Sequence, residues 1–165
     1  KPYFVALDAK GELGWESGRF ANKGRAEAHV IEILTEAAPL PYRAYLRKRG
    51  VSYILAGKTE LDRQLAMEKL YRLFHIKMLL ICGGGAADWT FLQAGLVDEL
   101  SLVLSPVTDG SSGTASVFAQ FPAQGAGQPV EFDLKTVQPL GGGGLHLRYL
   151  AKNARQSEEA GGSEL

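Results

Sequence analysis

The fold is decided by residues 76–110, IKMLLICGGGAADWTFLQAGLVDELSLVLSPVTDG. Within this stretch, residues 78–82 form a short, wholly apolar run, whose length and bounding residues predict a strand buried on both faces. A glycine triplet follows, and then Trp89 opens a helical pattern that Gly95 is placed to end. Residues 96–107 predict a second long strand. The stretch therefore predicts a strand, a glycine turn, a helix and a strand.

The glycine turn consists of Gly83, Gly84 and Gly85, and the helix is predicted to start near Ala86 and Ala87. Glycines let the backbone approach a ligand closely, and the free N–H groups of a helix start bind anions such as phosphate. The triplet is neither a G-x-G-x-x-G fingerprint nor a G-x-x-x-x-G-K-[ST] loop. Two interpretations stay open: a phosphate-binding turn, or a tight turn that only packs the helix against the strand.

The rest of the chain predicts an α/β fold. Residues 51–82 and 78–104 each have a strand–helix–strand pattern, and overlapping units of this kind favour a mostly parallel sheet. The last two strands alternate apolar and polar residues, which predicts an antiparallel hairpin. Thr59 and Asp62 have the spacing of a capping box at the start of the clearest helix. The remaining predicted strands are residues 3–7, 12–16, 28–34, 51–56, 130–137 and 145–150, and the remaining helices are residues 42–48 and 59–74.

Composition gives the chain the profile of an ordinary soluble domain. Its 165 residues carry 18 basic and 18 acidic side chains, a balance that offers no support for a nucleic-acid binder. No apolar run approaches the length that crosses a bilayer, so no membrane association is expected and the expected compartment is the cytoplasm. Residues 1–151 are predicted to be one domain and residues 152–165 a disordered tail, because that tail carries almost no large apolar residue.

The stretch around the glycine triplet also resembles a known family. Phe91 and Leu92, residues 94–99 and the pair Pro106 and Gly110 match the pattern F-L-x-A-G-L-V-D-E followed by a strand ending in P-x-x-x-G. This pattern is similar to that of the reductase domain of the bifunctional riboflavin-biosynthesis deaminase/reductase, within the dihydrofolate-reductase-like superfamily. The resemblance implies a dihydrofolate-reductase-like three-layer fold, with a mostly parallel sheet, an antiparallel C-terminal hairpin and helices on both faces.

The resemblance implies an NADPH-dependent reductase of a pterin-like or aminopyrimidine ribosyl phosphate compound, and a homodimer. In that family the glycine turn and the helix start hold the pyrophosphate of the cofactor. The adenosine half is then expected near Asp8 and near Gly57 and Lys58, where Lys58 offers positive charge to the 2′-phosphate or is only a solvated lysine. The cofactor-binding residues expected from the resemblance are Gly83, Gly84, Gly85, Ala86, Ala87, Asp8, Gly57 and Lys58.

Two departures from the family pattern leave a second hypothesis open. The family has a Glu before the three glycines, whereas this chain has Cys82, its single cysteine, which is expected to be a buried small residue. The family's first strand, with a Ser-Leu-Asp-Gly-like motif, is not found in this sequence. The catalytic residues therefore stay unknown. The alternatives are a non-catalytic nucleotide-binding or dimerisation module that keeps the fold, and a redox-sensing thiol at Cys82.

The remaining candidate groups predict structural roles. The three histidines are His29, His75 and His146, and each stands alone in the sequence, so no metal site is expected. Adjacent strand residues point to opposite faces, which argues against a catalytic carboxylate pair at Asp98 and Glu99 and favours a salt bridge there.

Overall fold

The computed structural model describes residues 2–21, 23–24, 26–108, 110–120 and 127–153. The chain divides into two compact units, Lys1–Leu79 and Leu80–Leu165. Within the described residues, no helix has both the length and the apolar character that a membrane span requires. The elements are β1 (Tyr3–Leu7), β2 (Arg19–Phe20), β3 (Ala28–Leu34), α1 (Leu40–Arg49), β4 (Ser52–Leu55), α2 (Arg63–Phe74), α3 (Gly85–Gln93), β5 (Glu99–Leu104), β6 (Phe132–Pro139) and β7 (Leu145–Ala151).

The first unit is built on a sheet with β3 at its centre. Strands β1 and β4 both pair with β3 in parallel, and the two-residue strand β2 pairs with the start of β3 in antiparallel. β3 is rich in the β-branched residues that favour strands and is buried along most of its length. The strand–helix–strand unit of the parallel sheet is therefore β3–α1–β4.

Side chains alternate along β3 and so supply two separate cores. Ile31 and Ile33 pack with Leu70 of α2 on one face. Val30 and Leu34 pack on the other face, in the cluster that includes residues of α1. The sheet of the first unit is thus covered by a helix on each face, which agrees with the expected architecture.

The helix ends of the first unit follow ordinary capping rules. α1 ends at Gly50, whose φ of 70° is left-handed and whose N–H reaches the last carbonyls. α2 begins later than expected: its N-cap is Asp62, which accepts a hydrogen bond from the Leu65 N–H at 2.9 Å. The prediction that the helix starts at Thr59 is wrong, because Asp62 is itself the N-cap of α2.

The predicted buried strand at residues 78–82 is not present. Met78 and Leu80 are 79% and 75% exposed, and none of the described strands pairs with this run. Apolar character alone does not select a strand, and this run has one β-branched residue, Ile81, where β3 has three. The parallel units predicted over residues 51–82 and 78–104 therefore do not form, since they share this missing strand.

The second unit carries α3 and a three-stranded antiparallel sheet in the order β5–β7–β6. The hairpin of β6 and β7 confirms the predicted antiparallel ending. β5 lies in this second sheet and is antiparallel to β7, so the expectation of one mostly parallel sheet that includes it is wrong. Residues 12–16, expected as a strand, have no strand structure.

The sheet of the second unit has one polar and one apolar face. Glu99 lies on the polar face, where it accepts hydrogen bonds from Arg148 at 2.5 Å and Lys135 at 2.7 Å, as the expected salt bridge. Strand alternation and register place the following residues on the other face, called here the apolar face: Leu100, Leu102, Leu104, Leu134, Val137, Leu145, Leu147 and Tyr149. Leu104, Leu134 and Val137 are 54%, 57% and 50% exposed.

Part of the predicted tail is held by the second unit. The Lys152 N–H donates to the Glu131 carbonyl at 2.9 Å, and the Asn153 amide donates to the Leu92 carbonyl at 2.7 Å. Residues 154–165 lie outside the described residues. The single domain over residues 1–151 stays a prediction.

Candidate functional site

The glycine turn is the start of α3. Gly84 is the N-cap, with extended φ and ψ of −70° and 168°, and the helix begins at Gly85. The Gly84 carbonyl accepts from the N–H groups of Ala87 and Asp88 at 2.9 and 3.2 Å. The N–H groups of Gly85 and Ala86 lie in the first turn of the helix, where a backbone amide has no carbonyl partner within the helix. Together with the positive end of the helix dipole, they give this turn the chemistry of an anion site.

The glycines of the triplet differ in the space around them. A Cβ on Gly85 would lie 2.5 Å from the Ser116 carbonyl oxygen, so this glycine lets the backbone of residues 116–119 pack on the helix start. The Ala119 N–H donates to the Gly85 carbonyl at 2.9 Å across the same contact. A Cβ on Gly84 would meet no atom of the described residues within 4 Å. Gly84 is therefore the position at which the backbone is open to a ligand.

Asp88 is a residue that sequence reasoning missed. It lies in the first turn of α3, and its Oδ1 atom is buried without a hydrogen-bond partner among the described residues. Burial raises the pKa of this carboxyl. The same oxygen lies 4.0 Å from the Cβ position of Gly83, so it borders the glycine turn. The available signal was the acidic residue three positions after the triplet. An ionised Asp88 favours the helix but opposes a second anion there.

The expected site residues of the first unit lie at one edge of its sheet. Because β1, β3 and β4 are parallel, their carboxyl ends share an edge, where α/β proteins commonly bind ligands. Asp8 follows β1, and Gly57 and Lys58 follow β4. The carbonyls of Gly57 and Lys58 accept from the N–H groups of residues 36 and 37 at 2.9 and 3.0 Å. The structure thus brings Asp8, Gly57 and Lys58 to a common edge, with Lys58 exposed.

The side chain of Asp8 is occupied by its own loop. Its carboxylate accepts from the N–H groups of Gly11, Glu12 and Leu13 at 2.9, 2.6 and 2.8 Å. Burial by itself raises the pKa of Asp8, but the hydrogen bond with Glu32 and these three amides outweigh burial and hold the pKa below its usual value. The Asp8 carboxylate therefore shapes the loop. Its contact with a cofactor stays a prediction.

A second carboxyl group lies beside Asp8 and was also missed. Glu32 is fully buried in β3, accepts from Trp15 Nε1 at 2.7 Å and lies 2.7 Å from the Tyr42 hydroxyl. Burial, and after it the hydrogen bond with Asp8, raise the pKa of Glu32 to about 7. The signal in the sequence was a lone acidic residue inside AHVIEIL, on the strand face that also carries Val30 and Leu34.

The remaining candidate residues have ordinary surroundings. Cys82 is exposed, so the expectation of a buried small residue is wrong, because the run that precedes it is not a buried strand. His29 and His146 each lie 2.8 Å from a serine hydroxyl, and His75 is the left-handed C-cap of α2. Within the described part of the chain, no three His, Cys, Asp or Glu side chains are grouped to hold a metal ion.

The sequence profile of the RibD C-terminal domain family matches residues 14–146. The chain belongs to that family. This confirms the resemblance found around the glycine triplet, and the matched span includes that triplet and Phe91 to Glu99.

Two curated relatives share the name 2,5-diamino-6-ribosylamino-4(3H)-pyrimidinone 5′-phosphate reductase. The protein of Methanothermobacter thermautotrophicus is 33% identical over 84 residues, which cover 51% of this chain and 38% of the relative. The protein of Aquifex aeolicus is also 33% identical over 84 residues, covering 51% of this chain and 37% of the relative. The matched part therefore spans well under half the length of either relative.

Solved structures show the same α/β fold. A pyrimidine reductase-like protein from Corynebacterium diphtheriae superposes with a TM-score of 0.69 at 18% identity, covering 91% of this chain and 61% of that chain. RibD of Acinetobacter baumannii superposes with a TM-score of 0.55 at 20% identity, covering 91% of this chain and 58% of that chain.

Proposed function

We propose that this chain is a reductase of the riboflavin pathway that binds NADPH and reduces an aminopyrimidine ribosyl phosphate, or a related pterin-like compound. The observation that carries the proposal is the open glycine turn at the start of α3, in a chain of the RibD C-terminal domain family. Two relatives at 33% identity are named as reductases of a ribosylaminopyrimidinone phosphate, which supports the same substrate class.

The residues at the turn suit a dinucleotide. The amides of Gly85 and Ala86 would hold the pyrophosphate, and the space beside Gly84 would admit it. Ala87 lies in the same first turn and is assigned to the site with them, although its own N–H donates to the Gly84 carbonyl. The nicotinamide supplies the hydride when it is bound, so the protein's task is to hold cofactor and substrate in the productive geometry. We assign Asp8, Gly57 and Lys58 to the adenosine half, with Lys58 as the cation for the 2′-phosphate.

Binding at the turn is tested with two variants of one residue. Asp and Asn are equally good N-caps, so Gly84→Asp and Gly84→Asn place similar side chains in the open space and differ mainly by a negative charge. We expect isothermal titration to show NADPH binding weakened by about tenfold or more in Gly84→Asp relative to Gly84→Asn, since the charge would face the pyrophosphate. Equal affinities would place the cofactor elsewhere, and no saturable binding to the unaltered chain up to about 1 mM would refute the proposal.

A non-catalytic module that keeps the reductase fold is the second candidate. Cys82, where the family pattern has Glu, favours it, because a thiol is a weak donor and lacks the carboxylate's charge. Consumption of NADPH in the presence of the ribosylaminopyrimidinone phosphate separates the two candidates. Turnover supports the reductase, whereas NADPH binding without turnover supports the module.

We further propose that the chain forms a homodimer through the apolar face of the second unit's sheet. Three of its residues are at least half exposed, and a contiguous apolar face of this kind marks an interaction surface. A dihydrofolate-reductase-like three-layer arrangement and a cytoplasmic location also stay proposals. The parallel order of β1, β3 and β4, with a helix on each face, supports the first of these.

A further inference from the structure

The loop between β1 and β2, residues 8–18, is held to the rest of the unit by several hydrogen bonds, and those of its middle part converge on one buried acidic residue. Trp15 Nε1 donates to Glu32 Oε2 at 2.7 Å, and the Tyr42 hydroxyl contacts Glu32 Oε1 at 2.7 Å. The same hydroxyl lies 2.6 Å from the Leu13 carbonyl oxygen and 3.4 Å from an oxygen of Asp8. Glu32 therefore reaches two positions of the loop, one directly and one through Tyr42.

The number of protons available to these oxygens decides the protonation state of Glu32. A tyrosine hydroxyl has one proton, yet the Tyr42 oxygen has two close oxygen neighbours, Glu32 Oε1 and the Leu13 carbonyl. A carbonyl oxygen cannot donate, so the Tyr42 proton must point to Leu13 if that contact is a hydrogen bond. The 2.7 Å contact with Glu32 then needs a proton on Oε1, donated to Tyr42. The geometry is complete only when Glu32 is a neutral acid.

We propose that Glu32 is a proton-operated latch for the loop at residues 8–18. In the protonated form, Glu32 donates to Tyr42, Tyr42 donates to the Leu13 carbonyl, and the loop is closed on the sheet. In the ionised form, the carboxylate takes the Tyr42 proton for itself. The Leu13 carbonyl then faces a hydroxyl oxygen with no proton between them, and the repulsion releases the loop at Leu13, while the hydrogen bonds at Ala9, Trp15 and Gly18 hold the rest of it.

The surrounding groups agree with a proton held by Glu32. Asp8, at the end of β1, is stabilised in its ionised form by three backbone amides, so a neighbouring negative charge opposes ionisation of Glu32. α1 contributes Tyr42 and Tyr45, and β4 contributes Tyr53, which pairs with Glu32 in register. Among the described residues, no lysine, arginine or histidine is bonded to the Glu32 carboxyl: Arg47 donates to the Tyr53 hydroxyl, and Arg49 lies over the Tyr45 ring.

The direction of the pH effect follows from the raised pKa of Glu32, about 7 in the folded protein. The unfolded chain ionises at the lower, ordinary value for Glu, so the folded state holds the extra proton between the two values. Stability from this group is therefore complete below the ordinary value and decreases as pH rises toward about 7. The latch is closed in weakly acidic solution and open in weakly alkaline solution.

The test compares loop protection at two pH values. Hydrogen exchange of the Leu13 amide and the Trp15 indole is measured at about pH 5.5 and about pH 8.5 and corrected for the intrinsic exchange rate. We expect protection of the Leu13 amide to fall by about tenfold at the higher pH, the scale of one lost hydrogen bond, whereas the Trp15 indole should stay protected because an ionised carboxylate is the stronger acceptor. Glu32→Gln keeps an N–H donor for Tyr42 and an acceptor for Trp15, so its protection should stay high at both values.

Two controls make the result decisive. Glu16→Gln removes an exposed carboxylate of the same loop and should keep the pH response of the unaltered chain. The carboxyl carbon of Glu32, followed by NMR in the unaltered chain, should titrate near pH 7 even if Glu32→Gln fails to fold. An equal fall of protection in Glu32→Gln, no fall in the unaltered chain, or a carboxyl titration below about pH 5 would each overturn the latch.

Discussion

At the scale of the residue, Lys58 is the proposed cation for the 2′-phosphate of NADPH. It is exposed at the carboxyl edge of the parallel strands, and among the described residues its one hydrogen bond is through its backbone carbonyl, which accepts from the Ala37 N–H at 3.0 Å. Its ammonium group therefore remains exposed to solvent. An exposed charge contributes little to folding, so its substitution isolates the binding effect.

The prediction for Lys58 concerns the choice between two cofactors. Lys58→Gln should weaken NADPH binding about fivefold to tenfold and leave NADH binding unchanged, because only NADPH carries the 2′-phosphate. Lys48→Gln, at an exposed lysine near the end of α1, is the matched control and should alter neither affinity. Equal losses for both cofactors would remove Lys58 from phosphate recognition. Titration calorimetry with each cofactor measures both outcomes.

Buried carboxyl groups are the other residue-scale feature. Glu32 has hydrogen-bond partners for both of its oxygens, whereas one oxygen of Asp88 is buried with no partner among the described residues. An unpaired buried oxygen costs free energy, and groups of this kind concentrate where a ligand binds. The position of Asp88 beside the glycine turn is consistent with a ligand that offers a donor as well as phosphate.

At the scale of the element, the observed start of α2 differs from the start that the sequence pattern predicts. Thr59 and Asp62 both suit a cap, and the sequence pattern favours a helix from Thr59. In the structure, Asp62 has extended backbone angles and accepts from the Leu65 N–H. Of the two candidate caps, the one that forms is the nearer to the buried residues of the helix, Ala66 and Leu70.

Replacing each candidate cap tests this assignment. Asp62→Ala should lower the free energy of unfolding by about 1 kcal/mol, because it removes an acceptor for the orphan amides of the first turn. Thr59→Ala should change it by less than about 0.5 kcal/mol, as is usual for surface positions. Chemical denaturation of both variants measures the difference. A larger loss in Thr59→Ala would restore the earlier helix start.

At the scale of the whole molecule, the apolar face of the second unit's sheet carries the proposed dimer contact. Val137 and Gln138 are neighbours on β6 that pair with Leu147 and His146, so their side chains lie on the apolar and the polar face respectively. Both are exposed in the single chain. The variants with lysine at either position should fold alike, yet only the lysine at position 137 would enter an apolar dimer interface.

The prediction is a change in oligomeric state. Light scattering coupled to size-exclusion chromatography should give a dimer for the unaltered chain and for Gln138→Lys. Val137→Lys should shift the protein toward the monomer, because burying an unpaired ammonium group between two apolar faces is costly. A monomeric unaltered chain, or the same mass for both variants, would exclude this face as the interface.

The sequence by itself determined the elements whose local signals agree with their packing. β1 and β3 have the predicted bounds, because the aromatic residues of β1 and the β-branched residues of β3 favour strands. α3 lies between its glycine turn and Gly95, whose φ of 67° ends it, and the motif around it places the chain in its family. Backbone propensity and capping are short-range effects, so they can be read from neighbouring residues.

Only the tertiary structure decided which segments pair and which polar groups meet. The apolar run at residues 78–82 is not a strand, and β5 pairs in antiparallel with β7, since pairing depends on contacts between residues far apart in sequence. For the same reason, no local pattern revealed that Glu32, Tyr42 and Trp15 converge, or that Asp88 borders the glycine turn. Their protonation is set by burial and by neighbours that the fold alone supplies.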